Sequence, residues 1–357
     1  MSDSDARDAD PDHSTTAARC EHFVTLFDDS FLPIGLALYQ SLVAQARPFR
    51  LWVVAIDEEV SRHLEQLALP DLTVIPLSSI ESRELLAVKP GRTRAEYCWT
   101  LTPFTAQAVF DRDASATRAT YVDADLFFLA DPRILLNELD QSGKHVLITE
   151  HAYAPEYDRS HDSGRFCVQF LTFDRSGWAH EVMHWWQERC LEWCFARYEN
   201  GKFGDQVYLD AWPTLFGDRV QIVRQVEKTL APWNVRHFAQ QSRRLLEPVF
   251  YHFHGLRLLA DQRVRLFKFY DVGPAGLAIY DKYLLALAQA YAQLGRAGIR
   301  PPTHALPPER WGWLKTLERR LKGTERFAKL PSALNVGSLR QTPATTAAQA
   351  TNQAAQG

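Results

Sequence analysis

From residue 22 onward, apolar runs of strand length alternate with amphipathic stretches at helical spacing. The runs 22–27, 50–56 and 72–76 read as the first three strands. Between them, 33–44 and 58–68 read as helices, the first with Pro33 suited to its opening turn. A mostly helical stretch over 93–112 is interrupted at Pro103. Residues 120–122 form the strand that delivers Asp123 and Asp125. Asp131 before Pro132 reads as an N-cap followed by a first-turn proline. Further strands are expected at 145–149, 166–173, 219–224 and 249–254, with helices at 176–198 and 204–211. This alternation predicts an α/β fold, a mainly parallel Rossmann-like sheet with helices on both faces. Ligands of such sheets bind beyond the carboxyl ends of the strands.

The pattern fades at both ends. Residues 1–20 are polar and acidic and read as a disordered arm, and 331–357, rich in Ala, Gln and Thr, as a disordered tail. The folded part divides into a main domain over 21–260 and a C-terminal helical extension over 261–330, with no internal repeat. The 357 residues suffice for one large α/β domain. A net charge of -3 gives no reason to expect nucleic acid as a partner. The five cysteines include no Cys-x-x-Cys pair and read as reduced thiols, Cys190 and Cys194 sharing a helical face. No signal peptide and no apolar run of membrane-spanning length is found. The expectation is a cytoplasmic protein, at most peripheral on the inner membrane surface.

Candidate chemistry centres on Asp123-Ala124-Asp125, two carboxylates set among residues that otherwise belong in a buried strand. Burying unpaired charge is costly, and a divalent cation shared with a diphosphate relieves it. The bland alternative is a strand end with two solvated acids. His252 and His254 lie two apart in a strand pattern, hence on one face, and either can add an imidazole nitrogen. A mixed carboxylate and imidazole set favours manganese over calcium. Gly204-Asp205-Gln206 is a turn that can bring a carboxylate and an amide to a sugar, or simply a helix N-cap at Asp205. Asp28, Asp29 and Ser30 follow the first strand, where a doubly wound sheet meets a nucleotide base, or form a plain polar turn.

Two other motifs compete. His180-Glu181-Val182-Met183-His184 matches the zinc-protease pattern, within a helix whose inner face would be Val182, Trp185, Trp186 and Leu191. Residues 310–322 mix tryptophans with cations. Such a helix can lie at an anionic membrane surface, or pack Trp311, Trp313, Leu314, Leu317 and Leu321 on the domain.

In this order, a first strand ending in Asp-Asp, an Asp-x-Asp strand, a Gly-Asp-Gln turn and a His-containing strand ending in Gly resemble the GT-A-fold glycosyltransferases. The closest resemblance is to the family-eight retaining enzymes and related bacterial polysaccharide transferases, over about residues 22–260. It implies transfer of a sugar from a nucleoside-diphosphate sugar, a UDP-sugar foremost, to a hydroxyl of a glycan or lipid-linked acceptor. By the same resemblance, Asp28 contacts the base, and Asp123 and Asp125 bind Mn2+ or Mg2+ with the diphosphate. His252 is the third ligand, with His254 as alternative. Asp205 holds donor-sugar hydroxyls, Gln206 sits near the anomeric carbon, and the segment from Leu230 to Asn234 lines the acceptor side. Arg257 is the nearest cation for phosphate. The chain departs from the family at Cys167 and Gln169, which stand where an Asn-x-Gly is usual. It departs again around Tyr97, Cys98 and Trp99, where the family has an arginine, although Arg92 and Arg94 are near. A sugar nucleotidyltransferase is the second reading, but no glycine-rich basic loop follows the first strand.

Overall fold

A computed structural model describes residues 19–306 and 312–331. The arm expected over 1–20 and the tail over 331–357 therefore lie almost wholly outside the described residues, as do Arg310 and Trp311. The strands run β1 (Glu21–Phe27), β2 (Phe49–Ala55), β3 (Leu72–Pro76), β4 (Arg118–Val122), β5 (Leu126–Phe128), β6 (Val146–Glu150) and β7 (Phe166–Asp174). They continue with β8 (Val220–Ile222), β9 (Thr229–Leu230), β10 (Phe250–His252), β11 (Arg257–Leu258), β12 (Arg263–Lys268) and β13 (Glu325–Lys329).

Seven strands form the central sheet in the order β3-β2-β1-β4-β7-β6-β8. β7 runs antiparallel to β4 and β6, and the other pairings are parallel, so the sheet is mainly parallel as expected. Its strands are apolar on both faces because helices cover both. In β1, Phe23 and Phe27 enter one core cluster while Val24 and Leu26 enter the other. The helices Leu32–Gln45, Glu58–Leu67, Arg94–Leu101 and Thr105–Arg112 follow the expected pattern. Asp57 caps the second through Val60, and Thr93 with Glu96 forms a capping box on the third.

Two helical expectations change. The helix expected over 176–198 is Gly177–Glu192. It stops there because Trp193 and Cys194 turn into the core, and the Arg92 guanidinium takes the freed carbonyls of Cys190, Leu191 and Cys194. Cys194 therefore lies past the helix rather than on its face. The buried side of this helix is Ala179, Val182, Met183, Trp186 and Cys190, with Trp185 and Leu191 only half-buried. The helix expected over 204–211 is a 3-10 turn, Val207–Ala211, followed by the short helix Trp212–Leu215. Asp205 is not its N-cap.

A second sheet, β5-β10-β9, branches from the end of β4 and decides the site. β10 runs antiparallel to β5 with His252 opposite Leu126. The third sheet is β11-β12-β13, so the segment expected to be a helical extension also supplies strands. Helix Gly273–Arg296 packs Tyr280 and Tyr283 against Tyr251 and Phe253, and sends Ala290 and Leu294 into the main core. The helix Gly312–Leu321 leaves Trp313 (69%), Leu314, Leu317 and Leu321 (80%) exposed, so it does not pack that face on the domain. Arg319 instead ties it to Glu325 of β13 at 2.7 Å.

Candidate active site

β4 ends at Val122, and the chain leaves the central sheet through Asp123, Ala124 and Asp125 before entering β5. Main-chain bonds hold the turn from both sides. Asp123 N–H donates to the Gln169 carbonyl of β7 at 3.0 Å, and Phe253 N–H donates to the Asp125 carbonyl at 2.9 Å. This places His252 beside the two acids. Its Nε2 lies 3.1 Å from Asp125 Oδ1 and 3.7 Å from Asp123 Oδ2. Among the described residues, Asp123, Asp125 and His252 are the one group of three that offers ligand atoms within 4.8 Å of one another.

The electrostatics suit a cation. Burial pushes the Asp123 carboxyl up to about 6, against the pull of His252. For Asp125 burial acts in the same sense, but the charge and hydrogen bond of His252 outweigh it and hold the carboxyl below its ordinary value. Burial disfavours charge on His252, yet Asp125, Cys167 and Asp123 together hold its pKa well above the usual range. The two acids and the ring thus favour positive charge between them. Two carboxylate oxygens and one imidazole nitrogen are a donor set for a divalent cation.

The acids floor a cleft of about 350 Å³ lined also by Phe27, Asp28, Arg94, Trp99 and Tyr121. A larger hollow of about 650 Å³ lies around Phe267, Arg320 and Phe327, away from any such ligand group. The donor atoms, not the volume, single out the first cleft.

The other expected site residues are placed as follows. Asp28 lines the cleft, ion-paired to Arg94 at 3.3 Å and accepting from the Ser30 hydroxyl. Asp29 is turned away to His63 at 2.8 Å. Asp205 is 5% exposed, with its backbone carbonyl held by Trp186 Nε1 at 2.8 Å. Burial, then the nearby Asp123, pushes its carboxyl up to about 8. Gln206 donates its amide to the Ser163 carbonyl at 2.6 Å. Arg257 bonds the Leu256 carbonyl. Trp233 stands beside His252 and His254, with ring centroids 5.5 and 5.6 Å away.

His254 lies past the end of β10, exposed, and outside the ligand group, because the strand does not continue to it. The expectation of two histidines on one strand face is corrected accordingly. Among the described residues, His180-Glu181-x-x-His184 makes no ligand group. His180 packs on Phe110, Glu181 pairs with Arg219, and His184 is turned to solvent near Glu188. Sequence reasoning assigned no role to Tyr121, near the end of β4, whose hydroxyl donates to Asp123 just past the strand. Nothing local in the sequence marks Arg94 as the partner of Asp28.

Compared with known proteins, the chain is 31% identical to YfnF of Bacillus subtilis (strain 168) over 265 residues, 70% of this chain and 85% of the relative. It is 28% identical to YfnD of the same organism over 277 residues, 74% and 88% of the two chains. Neither name states an activity. No family model matches. In structure the chain is similar to the galactosyltransferase LgtC in complex with donor and acceptor sugar analogues, with a TM-score of 0.47, 14% identity, and 82% and 99% of the two chains covered. It is similar also to mouse xyloside xylosyltransferase 1, with a TM-score of 0.45, 16% identity, and 67% and 99% covered. The glycosyltransferase GlyE of Streptococcus pneumoniae TIGR4 gives 0.45, 14%, and 81% and 66%. At these distances none of the three carries a residue role to this chain. The sequence relationship does suffice for kinship: the chain belongs to the same family as YfnF of Bacillus subtilis.

Proposed function

We propose that the protein is a metal-dependent glycosyltransferase that moves a sugar from a nucleoside-diphosphate sugar, a UDP-sugar foremost, to a hydroxyl acceptor. The observation that carries this reading is the convergence of Asp123, Asp125 and His252, with both acids lining a cleft that Asp28 and Arg94 also line. The cleft lies at the carboxyl ends of β1 and β4, where a mainly parallel sheet binds its ligand.

In the reaction, the bond from the anomeric carbon to the diphosphate breaks, and its electron pair leaves with the diphosphate. The acceptor oxygen bonds that carbon and gives up its proton. Asp28 would receive the nucleoside, with Ser30 orienting its carboxylate. Asp123, Asp125 and His252 would hold Mn2+ or Mg2+. A cation bound there supplies Lewis-acid stabilisation of charge on the leaving group. Asp205 would meet donor-sugar hydroxyls; its raised pKa suits a carboxyl that can donate as well as accept. Gln206, fixed by Ser163, would stand near the anomeric carbon, and Arg257 near phosphate. A retaining outcome is part of the same reading, as is an acceptor that is a glycan or lipid-linked sugar. The exposed Trp313, Leu314, Leu317 and Leu321 beside Lys315, Arg320 and Lys322 support contact of this helix with an anionic bilayer surface. Among the described residues, no helix is long and apolar enough to cross a membrane.

The test is calorimetry of UDP binding with and without Mn2+, in the wild-type protein and in Asp125→Ala. Binding that needs the metal and is lost in the variant is expected. Binding indifferent to both would sink the proposal. Release of pyrophosphate from a nucleoside triphosphate and a sugar phosphate would transfer the site to nucleotidyl chemistry.

A further inference from the structure

Gln169 occupies a family-unusual place on β7, and its surroundings give it a task. The side chain is 1% exposed. Its Oε1 lies 2.8 Å from Nδ1 of His252. Its main-chain carbonyl, on the same residue, accepts the Asp123 N–H. One residue therefore touches two of the three candidate ligands, although its side chain reaches only the histidine.

The direction of the hydrogen bond to His252 is set by a relay behind it. The Cys167 carbonyl can only accept, and the Thr149 hydroxyl donates to it at 3.3 Å. The Thr149 oxygen is then free to accept, and the Gln169 amide nitrogen faces it at 3.5 Å, a long contact. That leaves the Gln169 amide oxygen, an acceptor, against His252, so Nδ1 carries the hydrogen. The Cys167 thiol also reaches the ring, but sulfur is a weak partner beside an amide oxygen at this distance. An imidazole that donates from Nδ1 offers its lone pair at Nε2, and Nε2 is the nitrogen that faces Asp123 and Asp125.

We propose that Gln169 is a positioning residue that fixes the orientation and tautomer of His252, so that Nε2 is presented to a cation shared with Asp123 and Asp125. The inference rests on the metal reading above. It turns the departure from Asn-x-Gly into a part of the site: the side chain at 169 meets the metal-facing histidine.

The experiment is Mn2+ titration of the full-length protein, followed by electron paramagnetic resonance, for wild type, Gln169→Met and Gln169→Glu. Thermal unfolding of each checks the fold. Met matches the length of Gln but offers only a weakly accepting thioether, and about 10- to 100-fold weaker Mn2+ binding is expected, the usual effect of losing such an outer partner. Glu still accepts from Nδ1, and is expected to bind within a few-fold of wild type. A role in packing alone reverses this order, since Met suits a buried position and Glu does not. Pulsed spectra should also lose the nitrogen coupling of His252 in Gln169→Met. Should that variant fail to fold, Thr149→Val, which frees the amide to turn, is expected to weaken Mn2+ binding several-fold. Unchanged affinity in a folded Gln169→Met or Thr149→Val, or Glu weaker than Met, overturns the inference alone. Absence of Mn2+ binding by the wild type overturns the metal reading and this inference with it.

Discussion

The Tyr121 hydroxyl, near the end of β4, donates to Asp123 Oδ1 at 2.8 Å, two residues on and just past the strand. A phenol aimed at one carboxylate oxygen leaves the other, Oδ2, facing His252. Tyr121→Phe should therefore loosen Asp123 without removing it. Loss of a hydrogen bond to a charged group is worth about 1.5–3 kcal/mol, so Mn2+-dependent UDP binding should weaken by roughly tenfold or more. Calorimetry reads this directly, and equal binding in the variant would show that the hydroxyl is idle.

Asp205 makes stability depend on pH. Its carboxyl is pushed up to about 8 by burial and by Asp123, against an ordinary value near 4 in the unfolded chain. A folded-state pKa that is raised means the fold binds the extra proton. The stability this gives is whole below pH about 4 and is lost as pH rises through about 8. Asp205→Asn removes the titration. The variant should be the more stable protein at pH 9, by on the order of 2 kcal/mol, with the gap closing toward acid pH. Urea unfolding across that range checks the trend, and a constant gap would contradict it.

At the opposite end of the sheet, Arg118 makes a two-pronged contact with Glu21, both bonds at 2.7 Å, and also reaches Asp140. Both Arg118 and Glu21 are buried. Glu21→Ala leaves the guanidinium with one partner only. Removing half of a buried pair typically costs about 3–5 kcal/mol, and the Asp140 contact should keep the loss near the low end. Denaturant unfolding should show that drop while metal binding in the folded protein stays unchanged, since the pair lies away from the cleft.

The helix Gly312–Leu321 presents apolar and basic side chains to solvent together. Sedimentation with vesicles containing phosphatidylglycerol should carry the wild-type protein down at low salt, and less so at high salt. A double variant, Trp313→Ala with Leu321→Ala, should stay in solution with its fold intact. Equal sedimentation with uncharged vesicles would argue against the anionic partner.

Much of this was legible from the chain alone. The period-two and 3.6-residue patterns set the order of strands and helices, because burial on one or both faces imposes them on every residue. Asp123 and Asp125 stood out because two acids inside an apolar strand pattern need a reason. The sequence could not say that β7 runs against its neighbours, nor that β5 leaves the central sheet to pair with β10. It could not choose between His252 and His254, since two histidines two residues apart share a face only while the strand lasts, and β10 ends at His252. The rival His180 and His184 have the right spacing for zinc, but tertiary packing gives them Phe110 and solvent, and no third ligand among the described residues. Gln169 read as a departure from a motif, and became a partner of His252 only when 83 residues of chain were folded back. Local propensity and burial act within a few residues and are written in the sequence. Which side chains meet at the site depends on strand register across long separations, and that the tertiary structure alone decided.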